Sequence, residues 1–316
     1  MIVLLIASGV GQYAAVMVLF GSSLFALYAG VGSRTLKNSP AERRMQHWLA
    51  RVLCSAALLA VIFAFGALFV VASRMSGDMV DALRRETLVA VVFATRFGKV
   101  WQAQAALSLL LAAVLPIALR FARRRACYIG TLFASGGLLV GLASVGHATM
   151  GSGISGALHL ANHSLHVMAA AAWLGGLLPL AFVLAAAHRN ASGPWSSTAR
   201  RCLVSFSEMG VVAVAVLILT GLGNAGFLIR DTHALLTTDY GHVLLLKVGL
   251  FALMLAFAAG NRFGLMPQLA NPGAVPMSIA EPTLSALRRS VLCEQVLGVL
   301  VLAVANVLGA LPPPMG

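Results

Sequence analysis

The stretch His159-Leu-Ala-Asn-His-Ser-Leu-His-Val-Met-Ala-Ala-Ala-Ala-Trp-Leu-Gly-Gly-Leu-Leu-Pro-Leu-Ala-Phe-Val-Leu-Ala-Ala-Ala187 runs for 29 residues without one Asp, Glu, Lys or Arg. A hydrocarbon layer of about 30 Å is crossed by roughly 20 apolar residues of helix. This run is long enough to span it, and its polar residues gather at one end: His159, Asn162, His163 and His166.

Seven further runs of that kind flank it, at 5–31, 50–72, 101–119, 127–147, 203–229, 241–261 and 291–311, making eight with 159–187. The composition agrees. The chain of 316 residues is 60% hydrophobic and 10% charged, with a mean hydropathy of +0.93, whereas a soluble domain carries roughly 25% charged residues. A soluble enzyme, a disordered chain and a secreted disulfide-rich domain are excluded. The expected fold is all-α: a polytopic membrane protein, an eight-helix transmembrane bundle in a lipid bilayer. Residues 1–316 form a single transmembrane domain, with no separate soluble domain. Residues 1–33 carry no charge, so the first run lacks the basic leader of a cleaved signal peptide and reads as a membrane helix.

The net charge is +13, from 22 Lys+Arg against 9 Asp+Glu. The basic residues sit in short connections between apolar runs, a topology signal and not a nucleic-acid footprint. No phosphate-binding loop of the G-x-x-x-x-G-K-[ST] type occurs. Arg34, Lys37, Arg43, Arg44 and Arg51 follow the first span, and Arg120, Arg123, Arg124 and Arg125 the third. Arg189, Arg200 and Arg201 follow the fifth, and Arg262, Arg288 and Arg289 lie between the seventh and eighth. These fifteen share one side with only Glu42 and Glu281. The positive-inside rule makes that side cytoplasmic and both termini periplasmic. The longest outer connection is 73–100. The longest inner one, 263–290, contains Pro267, Pro272, Pro276 and Pro282.

A repeat is visible. Thr95-Arg96-Phe97-Gly98-Lys99-Val100 precedes the third span and Thr238-Asp239-Tyr240-Gly241-His242-Val243 the seventh. Four spans separate the copies, so two four-helix halves would share one orientation.

Histidine carries the chemistry. At about 100° per residue, His159, His163 and His166 fall within roughly 60° of arc on one helix face. His147 closes the fourth span, across a connection that is Gly-rich at residues 151–156. Four imidazoles from two neighbouring spans are thus expected to converge near the outer boundary, where ionisable groups normally face a bundle interior or wet cavity. Neutral imidazole suits copper, zinc, iron and nickel. Met150, in the same connection, is a weaker candidate ligand whose thioether tilts the choice toward copper, as Cu(I) or Cu(II). The alternative is that the imidazoles make interhelical hydrogen bonds without metal. His47 and His188 read as polar residues of inner connections. Cys54, Cys127, Cys202 and Cys293 all lie near cytoplasmic starts of spans, either as an inner thiol station or simply as small hydrophobes.

Glu208, Asn224, Lys247 and Glu294 are candidates for a polar transport path, with Asn261 beside them. Equally, Glu208 and Glu294 could pair with Arg201, Arg288 or Arg289 as structural anchors. Gly137 and Gly141 form a G-x-x-x-G pair, and Ala172 and Gly176 share that spacing, which favours close helix packing.

Several segments together resemble the copper resistance protein D (CopD) family of bacterial inner-membrane proteins. They are Leu165-His166, then Ala169 to Ala172 and Trp173-Leu174-Gly175-Gly176-Leu177-Leu178-Pro179-Leu180; Gly146-His147-Ala148; Thr220-Gly221 with Asn224; Tyr240-Gly241 with Lys247; Asn261-Arg262; Arg289-Ser290 with Glu294; and the closing Leu308-Gly309 with Pro312-Pro313. The resemblance covers roughly residues 90–313; residues 1–90 share mainly hydropathy and the basic first connection. It implies copper handling at the cytoplasmic membrane, often beside a small periplasmic copper-binding protein (CopC), and points to His147 and His166. His159 and His163 rest on the helical-face argument.

The expectation is copper transport across the bacterial inner membrane, with import from the periplasm favoured because the metal-binding groups stand at the outer mouth. No catalytic residue is assigned and no enzyme is expected. Two rivals use the same histidines: a b-type haem electron carrier, and a copper-site assembly or sensor subunit that moves no ion.

Overall fold

The computed structural model describes residues 2–31, 39–121, 123–145, 153–189, 194–228, 233–269 and 277–312. Ten α-helices are described: α1 Ile2–Tyr28, α2 Pro40–Ser76, α3 Arg85–Ala94, α4 Arg96–Phe121, α5 Arg124–Ala143, α6 Gly153–Arg189, α7 Pro194–Leu228, α8 Ala234–Thr237, α9 Asp239–Ala259 and α10 Met277–Ala310. Eight of them, all but α3 and α8, are long and apolar enough to cross a membrane. The protein is an all-α polytopic bundle. Leu58, Leu59 and Ile62 of α2, Leu110 and Ile117 of α4, Leu219 and Leu222 of α7, and Val296 and Val299 of α10 point outward, exposed. That apolar exterior suits hydrocarbon, and the helices satisfy their backbone groups internally, as lipid requires.

Several helices outrun their apolar runs on the basic side. The run at 50–72 lies within a helix that begins at Pro40, where Ser39 Oγ accepts the Glu42 N–H at 3.0 Å and Pro40 takes the first helical position. The runs at 203–229 and 291–311 likewise start late, against Pro194 and Met277. Hydropathy sees only the part in hydrocarbon; the extra turns are amphipathic. His47 and His188 therefore sit in helices and not in connections, and Pro282 falls inside α10. The connection 73–100 is also structured. A 3₁₀ turn, Asp81–Leu83, and α3 pack Ala82 and Val91 onto Leu68 and Ala72 of α2.

The bundle divides into two groups, α1/α2/α4/α5 and α6/α7/α9/α10, and the first helix of each group lies at the centre. α1 packs on α2, α5, α6 and α10; α6 packs on α1, α7 and α10 and is the most buried span. α1 and α6 meet at Gly21 and Gly175, where a Cβ on either residue would collide with the other helix's backbone. Gly176, which shares the G-x-x-x-G spacing with Ala172, faces Phe206 of α7. The Gly137/Gly141 pair receives α4, with Leu107 against Gly137 and Gln104 against Gly141. Gln104 also accepts from Gln12 Nε2 at 2.9 Å, tying α4 to α1 inside the membrane.

The repeated motif folds the same way twice. Thr95 Oγ1 accepts the Gly98 N–H at 2.8 Å at the start of α4, and Thr238 Oγ1 accepts the Gly241 N–H at 3.0 Å at the start of α9. In each copy a short helix, α3 or α8, leads into the capped span.

Candidate functional site

Of the predicted residues on α6, His159, Asn162 and His166 meet α7. His159 is buried, its ring stacked on Phe227 with centroids 4.6 Å apart and planes 13° from parallel. His163 is half-buried one turn further, and His166 is half-buried with Nδ1 2.9 Å from Thr220 Oγ1. Asn162 Nδ2 donates to the Thr220 carbonyl at 2.9 Å and to Asn224 Oδ1 at 3.0 Å. The local sequence Thr220-Gly221-Leu222-Gly223-Asn224 makes this possible. His166 packs on Gly221, and a Cβ at Gly223 would press on the Asn162 amide at 2.8 Å. Small residues bring the helices close enough for their polar groups to meet.

Thr220 sets the state of His166. Its hydroxyl proton is directed to the Val216 carbonyl, 2.5 Å away. Toward His166 it is therefore an acceptor, and the ring carries its proton on Nδ1. The Nε2 lone pair stays available. A hydrogen-bonded Nδ1–H that fixes the tautomer and orients the ring is the usual support for an imidazole that ligates metal through Nε2.

Lys247 of α9 and His163 are the ionisable groups close enough to act electrostatically on His166. Lys247 is half-buried, and Asn224 is engaged by Asn162. The remaining path candidates lie elsewhere. Glu208 is exposed on the outside of α7. Glu294 is 2% exposed on α10, where Asn261 Nδ2 donates to its Oε1 at 2.6 Å and the Trp173 side chain hydrogen-bonds it as well. Its partners are thus an amide and an indole, not the arginines that an anchor would use.

His147 and Met150 lie outside the described residues. Among the described residues no three His, Cys, Asp or Glu side chains stand together as a metal-holding group. The helical rise explains it: His159 and His166 are seven residues, about 10 Å, apart along the axis. Adjacent pairs on α6 can share an ion only with ligands from elsewhere, and the connection bearing His147 and Met150 is the nearest in sequence. The four cysteines are free thiols, Cys127 and Cys202 buried, Cys54 half-buried and Cys293 exposed.

The two residues that sequence reasoning passed over are Thr220, as the acceptor behind His166, and Phe227, as the platform under His159. The signal for the first was present: a hydroxyl and an amide separated by glycines in an otherwise apolar span.

Eight apolar helices, two of them central, with imidazoles and amides meeting between α6 and α7, define a polytopic α-helical membrane protein with a histidine-bearing polar contact. Residues 1–157 match the family model described as copper resistance protein D-like, N-terminal domain, and residues 200–308 the one described as copper resistance protein D. Inner membrane protein YebZ of Escherichia coli K12 is 32% identical over 259 residues, covering 82% of this chain and 83% of that protein. Copper resistance protein D of Pseudomonas syringae pv. tomato is 30% identical over 308 residues, covering 96% and 94%. Copper transport protein CutJ of Bacillus subtilis 168 is 32% identical over 232 residues, 73% of this chain but 39% of that longer protein. The chain belongs to the copper resistance protein D family. The match includes residues 1–90, where motif-level likeness had been thin. No solved structure matches the chain.

Proposed function

We propose that this protein carries copper ions across the bacterial cytoplasmic membrane, from periplasm to cytoplasm, through a site on the α6 face that meets α7. The observation that carries the reading is His166. Its Nδ1 is held by Thr220, and among the described residues its Nε2 has no hydrogen bond to a side chain. His163 and His159 continue the same face toward the end where α6 begins. With the basic connections cytoplasmic, that end is periplasmic, as are both termini. His147 and Met150 are proposed to complete the coordination, and a separate CopC-like periplasmic protein is the proposed donor.

The names of the relatives, copper resistance protein D and copper transport protein CutJ, support copper as the cargo, and the name of YebZ supports the inner membrane. Imidazole suits either oxidation state, and the thioether of Met150 favours Cu(I). Protons compete with metal for the Nε2 lone pair, so copper retention should weaken as pH falls.

The test is replacement of His147 and His166 by Ala, with cellular copper accumulation and copper bound by purified protein as readouts. Both should drop. Unchanged values in both remove the proposal. Copper binding without flux in proteoliposomes would instead make the chain an assembly or sensor subunit, and a Soret band in the purified protein would make it a haem carrier.

A further inference from the structure

A second polar centre lies away from the histidines. Glu294 sits three residues into the apolar run 291–311, near its Arg288/Arg289 end, and is 2% exposed. Its hydrogen-bond partners are Asn261 Nδ2, at 2.6 Å, and the Trp173 side chain. Asn261 is itself 9% exposed, and its Oδ1 is buried without a hydrogen-bond partner. Asn261 and Ser290 line an open pocket of about 350 Å³ with Leu253, Phe257 and Leu265. Around Asn261 the chain leaves α-helical geometry, as a π-helical turn over Gly260–Leu265; such turns loosen the backbone ladder and recur at functional sites.

No cation bonds to this carboxyl among the described residues. Arg262 Nη1 donates to Ser207 Oγ, and Arg288 and Arg289 of α10 are exposed. Cys293, beside Glu294 in sequence, is exposed as well. α1, which packs on α10, carries no charge and offers only Tyr13 and Tyr28 as titratable groups. On α6, His166 is seven residues from Trp173, about 10 Å along the axis, and on α9 Lys247 is fourteen residues from Asn261, about 21 Å. An ionised carboxylate buried without a cationic partner is strongly disfavoured, and it escapes by taking up a cation. The donors here, carboxylate, amide oxygen and hydroxyl, are hard oxygens unsuited to Cu(I). The smallest cation fits without further ligands.

We propose that Glu294 is a proton-carrying carboxyl whose protonation and release accompany copper movement, with the Asn261/Ser290 pocket as the proton's route. This rests on the transport reading above. The step is a simple exchange. One O–H bond forms on a Glu294 oxygen lone pair not used by Asn261 or Trp173, and the proton comes from hydronium and returns to water. Asn261 Oδ1, lacking a donor, is the acceptor that positions the exchanging water once the π-helical turn opens.

The experiment has two arms on the purified full-length protein. Infrared spectroscopy of the wild type should show a carboxylic-acid C=O band at a pH where surface carboxylates are ionised. That band should vanish in Glu294→Gln and shift in frequency in Asn261→Leu. In proteoliposomes held at a fixed membrane potential, wild-type Cu(I) flux should change the internal pH, and Glu294→Gln should abolish that change while Glu294→Asp retains part of it. A band indifferent to Glu294→Gln, or copper flux with no pH change in the wild type, overturns the proposal. If the wild type moves no copper, the transport reading falls, and the infrared arm still decides whether Glu294 carries a proton.

Discussion

Thr220 illustrates how one hydroxyl can govern a proposed site it does not itself form. Its proton goes to Val216 O, so it can only accept from His166, and the imidazole is held in the tautomer that frees Nε2. Removing an outer partner of this kind typically lowers metal affinity about 10- to 100-fold while leaving the ligands in place. Thr220→Val keeps the shape and removes the acceptor. It should weaken copper binding by that factor in titrations of purified protein, whereas Thr220→Ser, which keeps the hydroxyl, should stay near wild type. Equal affinities for Val and wild type would mean that His166 is not oriented through Thr220. Asn162 gives a contrasting case. Its amide is spent on Thr220 O and Asn224 Oδ1, so Asn162→Leu should loosen α6 from α7, lowering thermal stability before it alters metal selectivity.

At the scale of elements, the apolar runs were legible because lipid imposes one rule on every crossing: about 20 apolar residues, with backbone bonds closed within the helix. Their ends were not, since the first turns of α2, α7 and α10 are polar and lie beyond hydrocarbon. The capped Thr95 and Thr238 turns were visible as a motif, and the structure gives them a shared geometry. On α6, period alone put His159, His163 and His166 on one face, but the partner across that face, α7, is a tertiary fact that no spacing reveals. The same holds for Glu294: its burial was readable from its place in a span, while its pairing with Asn261 and Trp173 in preference to arginine was not.

The α1–α6 crossing makes a further prediction at this scale. Gly21 and Gly175 face each other's backbones with no room for a methyl group. Overpacking a tight interface costs typically about 1–3 kcal/mol, and backbone, unlike a side chain, cannot rotate aside. Gly21→Ala or Gly175→Ala should therefore lower the resistance of the purified protein to SDS unfolding by at least that much. Gly66, in α2, has nothing within 4 Å of where its Cβ would stand. Gly66→Ala should be neutral, or more stable by roughly 0.5–1 kcal/mol through reduced backbone freedom. If all three variants unfold alike, α1 and α6 are not in the contact described.

For the whole molecule, the direction proposed for copper movement depends on which face of the membrane receives α6. Eight crossings return the C-terminus to the side on which α1 begins, so one orientation fixes both termini and the histidine end together. The basic side holds fifteen Lys and Arg with two acidic residues, spread over four connections. Such distributed charge is robust, because cationic residues near several span ends act in concert and no one connection decides. Alkaline phosphatase fused after residue 312 should therefore be active in cells, and a fluorescent protein inserted at 190–193, between α6 and α7, should glow, each reporting the compartment in which it folds. Replacing Arg120, Arg123, Arg124 and Arg125 by Gln should leave both readouts unchanged, since the other three connections still retain the basic side in the cytoplasm. A silent phosphatase after residue 312 together with a dark insertion at 190–193 would place the His159–His166 face at the cytoplasm. The same side chains would then receive copper from inside the cell, and import would have to give way to export.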